Sequence, residues 1–311
     1  MDFEVEVLTA ADPGPEIPSG IPTVEAYLLI LESPLFKQLE DSSDAFIEGN
    51  RDLLTRFWRR EPSDPFHQWS CQWEYPYVFS KIENFLREKE MTGTRLLDAG
   101  AGLTFFPYFL ANRFKETEVT ACDANRSLRS SYEILSRRLE TPVSFSLEDI
   151  REISSEPESF DVVYCISVLE HTANYGRVLD EFHRVLKPGG LLVVTFDISL
   201  DGYSDILPRE ADRLWSRLRD RFKPAEYGME VSPSAGITRE GILTTRYVRN
   251  TGKAALPWSH PYLSALKSLL QGRIPRTLFK DLTCYCGVFR KENSPARGGK
   301  RVIGRSGIRL P

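Results

Sequence analysis

Between residues 94 and 197 the chain alternates short apolar runs with amphipathic stretches, and this alternation narrows the possible folds more than any other feature. Residues 95–98, 118–123, Val143–Leu147, 160–167 and 191–197 are strand-length runs. Between the last two, Tyr175, Val178, Leu179, Phe182, Val185 and Leu186 keep a 3.6-residue period, with Arg177, Asp180, Glu181 and Arg184 on the opposite face. Lys187-Pro188-Gly189-Gly190 ends that helix with a breaker and permissive glycines. Continuous apolar strands separated by helices predict a parallel sheet covered by helices on both faces, a doubly wound α/β fold.

The flanking regions read differently. Residues 1–36 hold seven acids and no base, and 12–22 are proline-rich, so 1–22 form an N-terminal segment of their own. Residues 23–90 are helical in pattern and predict a cap or lid; Val78, Ile82, Phe85 and Leu86 share one helix face. The α/β domain spans 91–292, with pocket-forming insertions at about 200–280, helices over 209–222 and 261–271, and a last strand at Leu282–Arg290. A sixth strand has no clear sequence signal. Residues 293–311 carry five bases and no acid and read as a flexible tail.

Composition bounds the partners. With 40 Lys+Arg against 44 Asp+Glu, the charge is too near neutral for a dedicated nucleic-acid binder. No apolar run approaches the ~20 residues needed to span a bilayer, and the N-terminus lacks a secretory pattern. Five cysteines, an odd number, predict a reducing, cytoplasmic setting. Cys284-Tyr285-Cys286 lacks the second pair that a zinc site needs, so no metal is expected. Oligomeric state leaves no trace in the sequence.

In an open parallel sheet, ligands bind at the carboxyl ends of the strands. The distinctive residues fall there. Asp98-Ala99-Gly100-Ala101-Gly102 ends the first strand, and its glycines let the backbone turn tightly beside a ligand. Asp123, ending the second, suits a grip on two ribose hydroxyls, and Asp149, after the third, suits an exocyclic amine. Together these predict a nucleoside held across three strand ends. Trp69, Trp73, Tyr75 and Tyr77 crowd one short segment; they predict either rings capping the core of a helical layer or the wall of a substrate pocket.

The segments Leu96–Gly102, Asp123, Glu148-Asp149-Ile150, 160–163, Val168-Leu169-Glu170-His171 and Leu186-Lys187-Pro188-Gly189-Gly190 together resemble the class I S-adenosylmethionine-dependent methyltransferases, in particular the group that methylates small molecules. The resemblance covers about 94–197. It implies a seven-stranded, Rossmann-like sheet with a reversed final hairpin and S-adenosylmethionine as cofactor. It also implies that the Asp98–Gly102 turn lies under the methionine part, Asp123 on the ribose, Asp149 at the adenine amine, Ala124 and Ile150 against the ring, and Ser167 near the methionine end. Thr104 stands where a third glycine is common.

Methyl transfer from a sulfonium is an in-line displacement with an activated leaving group, so the protein's task is alignment and exclusion of water. A base helps where the acceptor is a hydroxyl or a protonated amine. His171, just after the fourth strand, is the first candidate base or else an element that fixes the turn; His67 is the second, and His183 sits on a polar helix face. Asp197, ending the fifth strand, is a candidate for orienting the acceptor. Three rivals stay open: a non-catalytic scaffold of the same fold, a nucleic-acid methyltransferase using the basic tail, and an NAD-dependent dehydrogenase. The last wants G-x-G-x-x-G, and Phe occupies position 105.

Overall fold

The computed structural model describes residues 16–57, 66–89, 93–202, 206–226, 229–256 and 279–292. The helix expected over 261–271, the first 15 residues and the basic tail lie outside them.

The seven strands lie in the order β3-β2-β1-β4-β5-β7-β6. They are β1 (Thr94–Ala99), β2 (Thr117–Asp123), β3 (Val143–Leu147), β4 (Phe160–Ile166), β5 (Leu186–Ser199), β6 (Lys223–Pro224) and β7 (Leu282–Arg290). Neighbours from β3 to β5 pair in parallel, whereas β7 runs antiparallel to both β5 and β6. The reversed last hairpin implied by the resemblance is therefore present. Central β4 is buried throughout except at its final residue, which is why it reads as an unbroken apolar run.

Two strands depart from expectation. β5 begins at Leu186 rather than 191, because Phe160 pairs with Leu186 and Val162 with Leu191, so Lys187–Gly190 bulge out between them. A side chain at Gly190 would lie 2.8 Å from the Lys187 carbonyl oxygen and 2.9 Å from that of Asp161, so only glycine closes the bulge. β6 is two residues long, and its proline is tolerated because the strand lies at the sheet edge. So brief an edge strand has no period to detect.

Four helices precede the sheet: α1 (Val24–Leu31), α2 (Pro34–Gly49), α3 (Arg51–Phe57) and α4 (Cys71–Lys89). Thr23 and Ser33 cap α1 and α2 by accepting from Ala26 and Phe36 N–H. Val78, Ile82, Phe85 and Leu86 are all buried on α4, which packs against β4, β5 and β7. The helical segment thus shares one apolar core with the sheet. After β1 come α5 (Phe106–Arg113), α6 (Leu128–Leu139), α7 (Tyr175–Val185), α8 (Pro208–Arg221), α9 (Pro233–Ile237) and α10 (Thr245–Thr251). Pro107 falls in the first turn of α5, where it removes no needed hydrogen bond. On α7 the expected face, Val178, Leu179, Phe182 and Val185, is buried.

The aromatic segment is core. Trp69, Trp73, Tyr75 and Tyr77 are at most 5% exposed, and Tyr75 packs on Phe105 and Phe106 at ring distances of 5.3 and 4.9 Å. Of the two readings of these rings, the capped helical layer describes their place. His183, expected on a solvated face, is half-buried with its ring 5.4 Å from Phe222, and burial pulls its pKa down. Among the described residues no helix is long and apolar enough to cross a membrane.

Candidate functional site

A cleft of about 410 Å³ opens at the carboxyl ends of the parallel strands. Gly100, Asp123, Ala124, Asp149, Ile150, Ser167 and His171, all singled out from sequence, line it. Asp98 and Gly102 do not line it; they build the turn behind it. Gly100 and Ala101 donate their N–H groups to the Cys122 carbonyl at 2.9 and 3.0 Å, tying the turn after β1 to the end of β2. Gly100 has φ +86°, and a Cβ there would lie 2.6 Å from Val168 Cγ2. The turn can thus approach the segment after β4 only because residue 100 lacks a side chain.

Asp123 is aimed by that turn. Its Oδ2 accepts from Gly102 N–H at 3.0 Å and its Oδ1 from Asn125 N–H at 2.8 Å. One donor per oxygen leaves each with capacity to accept another, as a pair of vicinal hydroxyls requires. Beside it, Ala124 and the buried Ile150 give the cleft apolar contact surface.

Asp149 is more committed than its place in the sequence suggests. It accepts from the backbone N–H of Arg151 at 2.9 Å and from that residue's Nε and Nη2 at 2.9 and 2.5 Å. The side-chain bonds of Arg151 hold its pKa below the usual carboxylate range. An adenine amine at Asp149 must share or displace this guanidinium, which itself lines the cleft.

Behind the turn, Asp98 is only 5% exposed. Burial pushes its pKa from an ordinary 3.8 up to about 8; the Tyr164 hydroxyl opposes this, and the Asp123 carboxylate adds to it. The unfolded chain has the lower pKa, so between 3.8 and about 8 the folded state holds the extra proton, and stability falls as pH rises through that window. Asp98→Asn keeps the shape and abolishes the titration. Its unfolding free energy is expected to gain on that of the unmodified protein with rising pH, by at most about 1.4 kcal/mol per pH unit, and the gain to level off beyond the window. Denaturation followed across the window checks this; parallel pH curves for the two proteins would remove Asp98 as the titrating group.

Ser167, just past β4, has a left-handed backbone, φ +50°. Its N–H donates to the carbonyl and hydroxyl oxygens of Thr195, both at 3.2 Å. Its hydroxyl donates to both carboxylate oxygens of Glu74, at 2.8 and 2.9 Å. Glu74, in the first turn of α4, is fully buried, and burial pushes its pKa up. Sequence reasoning missed it because it stands between Trp73 and Tyr75 and reads as part of the aromatic run.

His171 ends a short 3-10 turn, Leu169–His171, anchored by the fully buried Leu169, and is exposed at the rim of the cleft. His67 lies elsewhere, against Glu40 and Asp44 of α2 at 3.3 and 3.8 Å. Asp197 is half-buried on β5, and its N–H donates to the Glu170 carboxylate at 3.3 Å; it is not part of the cleft wall. The four aromatic residues of the helical layer are not part of it either.

A strand-end acid with acceptor capacity to spare, a glycine turn tied beneath it and an apolar floor fit a nucleoside cofactor. Residues 97–194 match the family model described as a methyltransferase domain. With the relatives that follow, this match supports an S-adenosylmethionine-dependent methyltransferase similar to the class I enzymes, with S-adenosylmethionine as its cofactor. It is 23% identical to a sterol 24-C-methyltransferase of Clavispora lusitaniae over 86% of this chain and 74% of that one. It is 24% identical to a ubiquinone biosynthesis O-methyltransferase of Xylella fastidiosa, over 63% of this chain and 85% of the other. Its fold is similar to that of a provisionally assigned sarcosine dimethylglycine methyltransferase from Galdieria sulphuraria, with a TM-score of 0.50 at 15% identity, covering 81% of this chain and 99% of that one. The methyltransferase match removes the dehydrogenase alternative.

Proposed function

We propose that the protein methylates a small organic acceptor whose nucleophile carries a proton, and that the acceptor enters beside His171. The observation that carries this is the cleft itself, with Asp123 aimed along one wall and His171 exposed at its rim. The two relatives are named for a sterol and for ubiquinone biosynthesis, both small-molecule chemistries, which supports the acceptor class.

When bound, S-adenosylmethionine supplies an electrophilic methyl carbon on a sulfonium. Asp123 would hold the ribose, and Ala124 and Ile150 would contact the adenine, with Asp149 and Arg151 at its edge. Gly100 and Ser167 shape the wall toward the methionine end. His171 would take the acceptor's proton, so that no positive charge builds up on the acceptor as it is methylated.

The test is transfer of a labelled methyl group from S-adenosylmethionine into a cell extract freed of protein and nucleic acid. The expected result is label in an extractable small molecule, dependent on the protein. Label that enters only added RNA or DNA, or no labelled product at all, would overturn the acceptor class.

A further inference from the structure

Glu74 is buried completely, lies outside the residues matched by the methyltransferase family and has no part in the chemistry described above. A buried carboxyl persists only where polar partners replace water. Those partners are the hydroxyls of Ser167, Thr195 and Ser70 and the thiol of Cys71. The Ser167 hydroxyl is the one that reaches the cleft wall. It spans 93 residues of sequence to join α4 to the end of β4.

The backbone at Ser167 needs that support. At φ +50° a residue other than glycine is unfavourable, and such a conformation survives only where its surroundings impose it. The Thr195 bonds fix the Ser167 N–H from the β5 side, and Glu74 fixes the side chain from the opposite end. Val168, the next residue, is the one against which Gly100 packs, so the path of the chain after β4 also sets the cleft's width.

We propose that Glu74 is a positioning residue for the methyl donor: by gripping the Ser167 hydroxyl it holds the end of β4 in its left-handed turn, so the helical segment before the methyltransferase domain completes the donor site. The proposal depends on the donor cleft and not on His171 or the acceptor, so donor binding alone tests it.

Donor affinity is measured by calorimetry for Glu74→Met and Glu74→Gln, each also in a Ser167→Gly background. Methionine fills the volume without an acceptor oxygen, whereas glutamine keeps one. Glu74→Met is expected to raise the donor Kd about tenfold, because the Ser167 hydroxyl loses its buried acceptor, and Glu74→Gln to stay near the unmodified value. With Ser167→Gly the turn forms unaided, so Glu74→Met is expected to have little further effect. An equal loss in both backgrounds would mean a general packing role, and no loss in either would mean none; both overturn the proposal. Should Glu74→Met not fold, Ser167→Ala against Ser167→Gly decides: alanine is expected to bind the donor worse, and equal affinities overturn the idea.

Discussion

Replacing His171 by alanine is expected to lower methyl-transfer turnover on the order of a hundredfold, the lower end of what a positioned base contributes, while leaving donor affinity unchanged. The separation follows from the architecture. In the proposed arrangement the donor's ribose and adenine lie at the ends of β1, β2 and β3 and its methionine end beside Ser167, whereas His171 sits farther past β4 on a turn whose fold is secured by buried Leu169 and by His171 N–H donating to the Val168 carbonyl at 3.0 Å. Removing an exposed imidazole leaves that backbone in place. The other described histidines are poor substitutes, since His67 is engaged by α2 carboxylates and His183 by Phe222. Initial rates with labelled donor, compared with donor Kd, check the split. Turnover equal to that of the unmodified protein would leave His171 as a turn element and remove it from the chemistry.

The positions of the cleft residues were legible because parallel strands buried on both faces write themselves as apolar runs, and the residue that ends each run sits at the ligand edge. Asp123 is visible for that reason, Asp149 because it stands two residues past such a run, and Gly100 because a turn this tight admits little else. What was not legible depends on contacts across long sequence separation. Nothing near Glu74 says that it will meet Ser167 and Thr195, and a glutamate between two aromatic residues looks like the polar side of a helix. The aromatic run shows the same limit: Trp69, Trp73, Tyr75 and Tyr77 suit a core and a pocket equally well, and only the placement of α4 on the sheet decides. The Asp149–Arg151 pair is closer to hand, two residues apart. Whether the guanidinium turns back on the carboxylate depends on the local turn, in which Asp149 bridges Glu152.

Asp123→Ala is expected to weaken S-adenosylmethionine binding by tenfold or more, with a smaller loss for Asp123→Asn. Hydrogen bonds to a charged acceptor contribute about 1.5–3 kcal/mol each, and one such bond already corresponds to at least a tenfold change in Kd. The carboxylate carries a second duty, because Gly102 N–H donates to Oδ2 at 3.0 Å and Asn125 N–H to Oδ1 at 2.8 Å. Alanine therefore frees the glycine turn as well as the ribose contact. Asparagine retains one acceptor oxygen and the shape of the side chain, so it can keep one backbone partner but not grip two hydroxyls. Calorimetry of donor binding, with thermal unfolding as the control for the turn, separates the two duties. If Asp123→Ala bound the donor as tightly as the unmodified protein while folding normally, the ribose would have to be held elsewhere, and the orientation of the cofactor along the strand ends would be wrong. If instead affinity and unfolding temperature fell together for alanine, with asparagine restoring only the temperature, the carboxylate would be doing both jobs that its two half-satisfied oxygens allow.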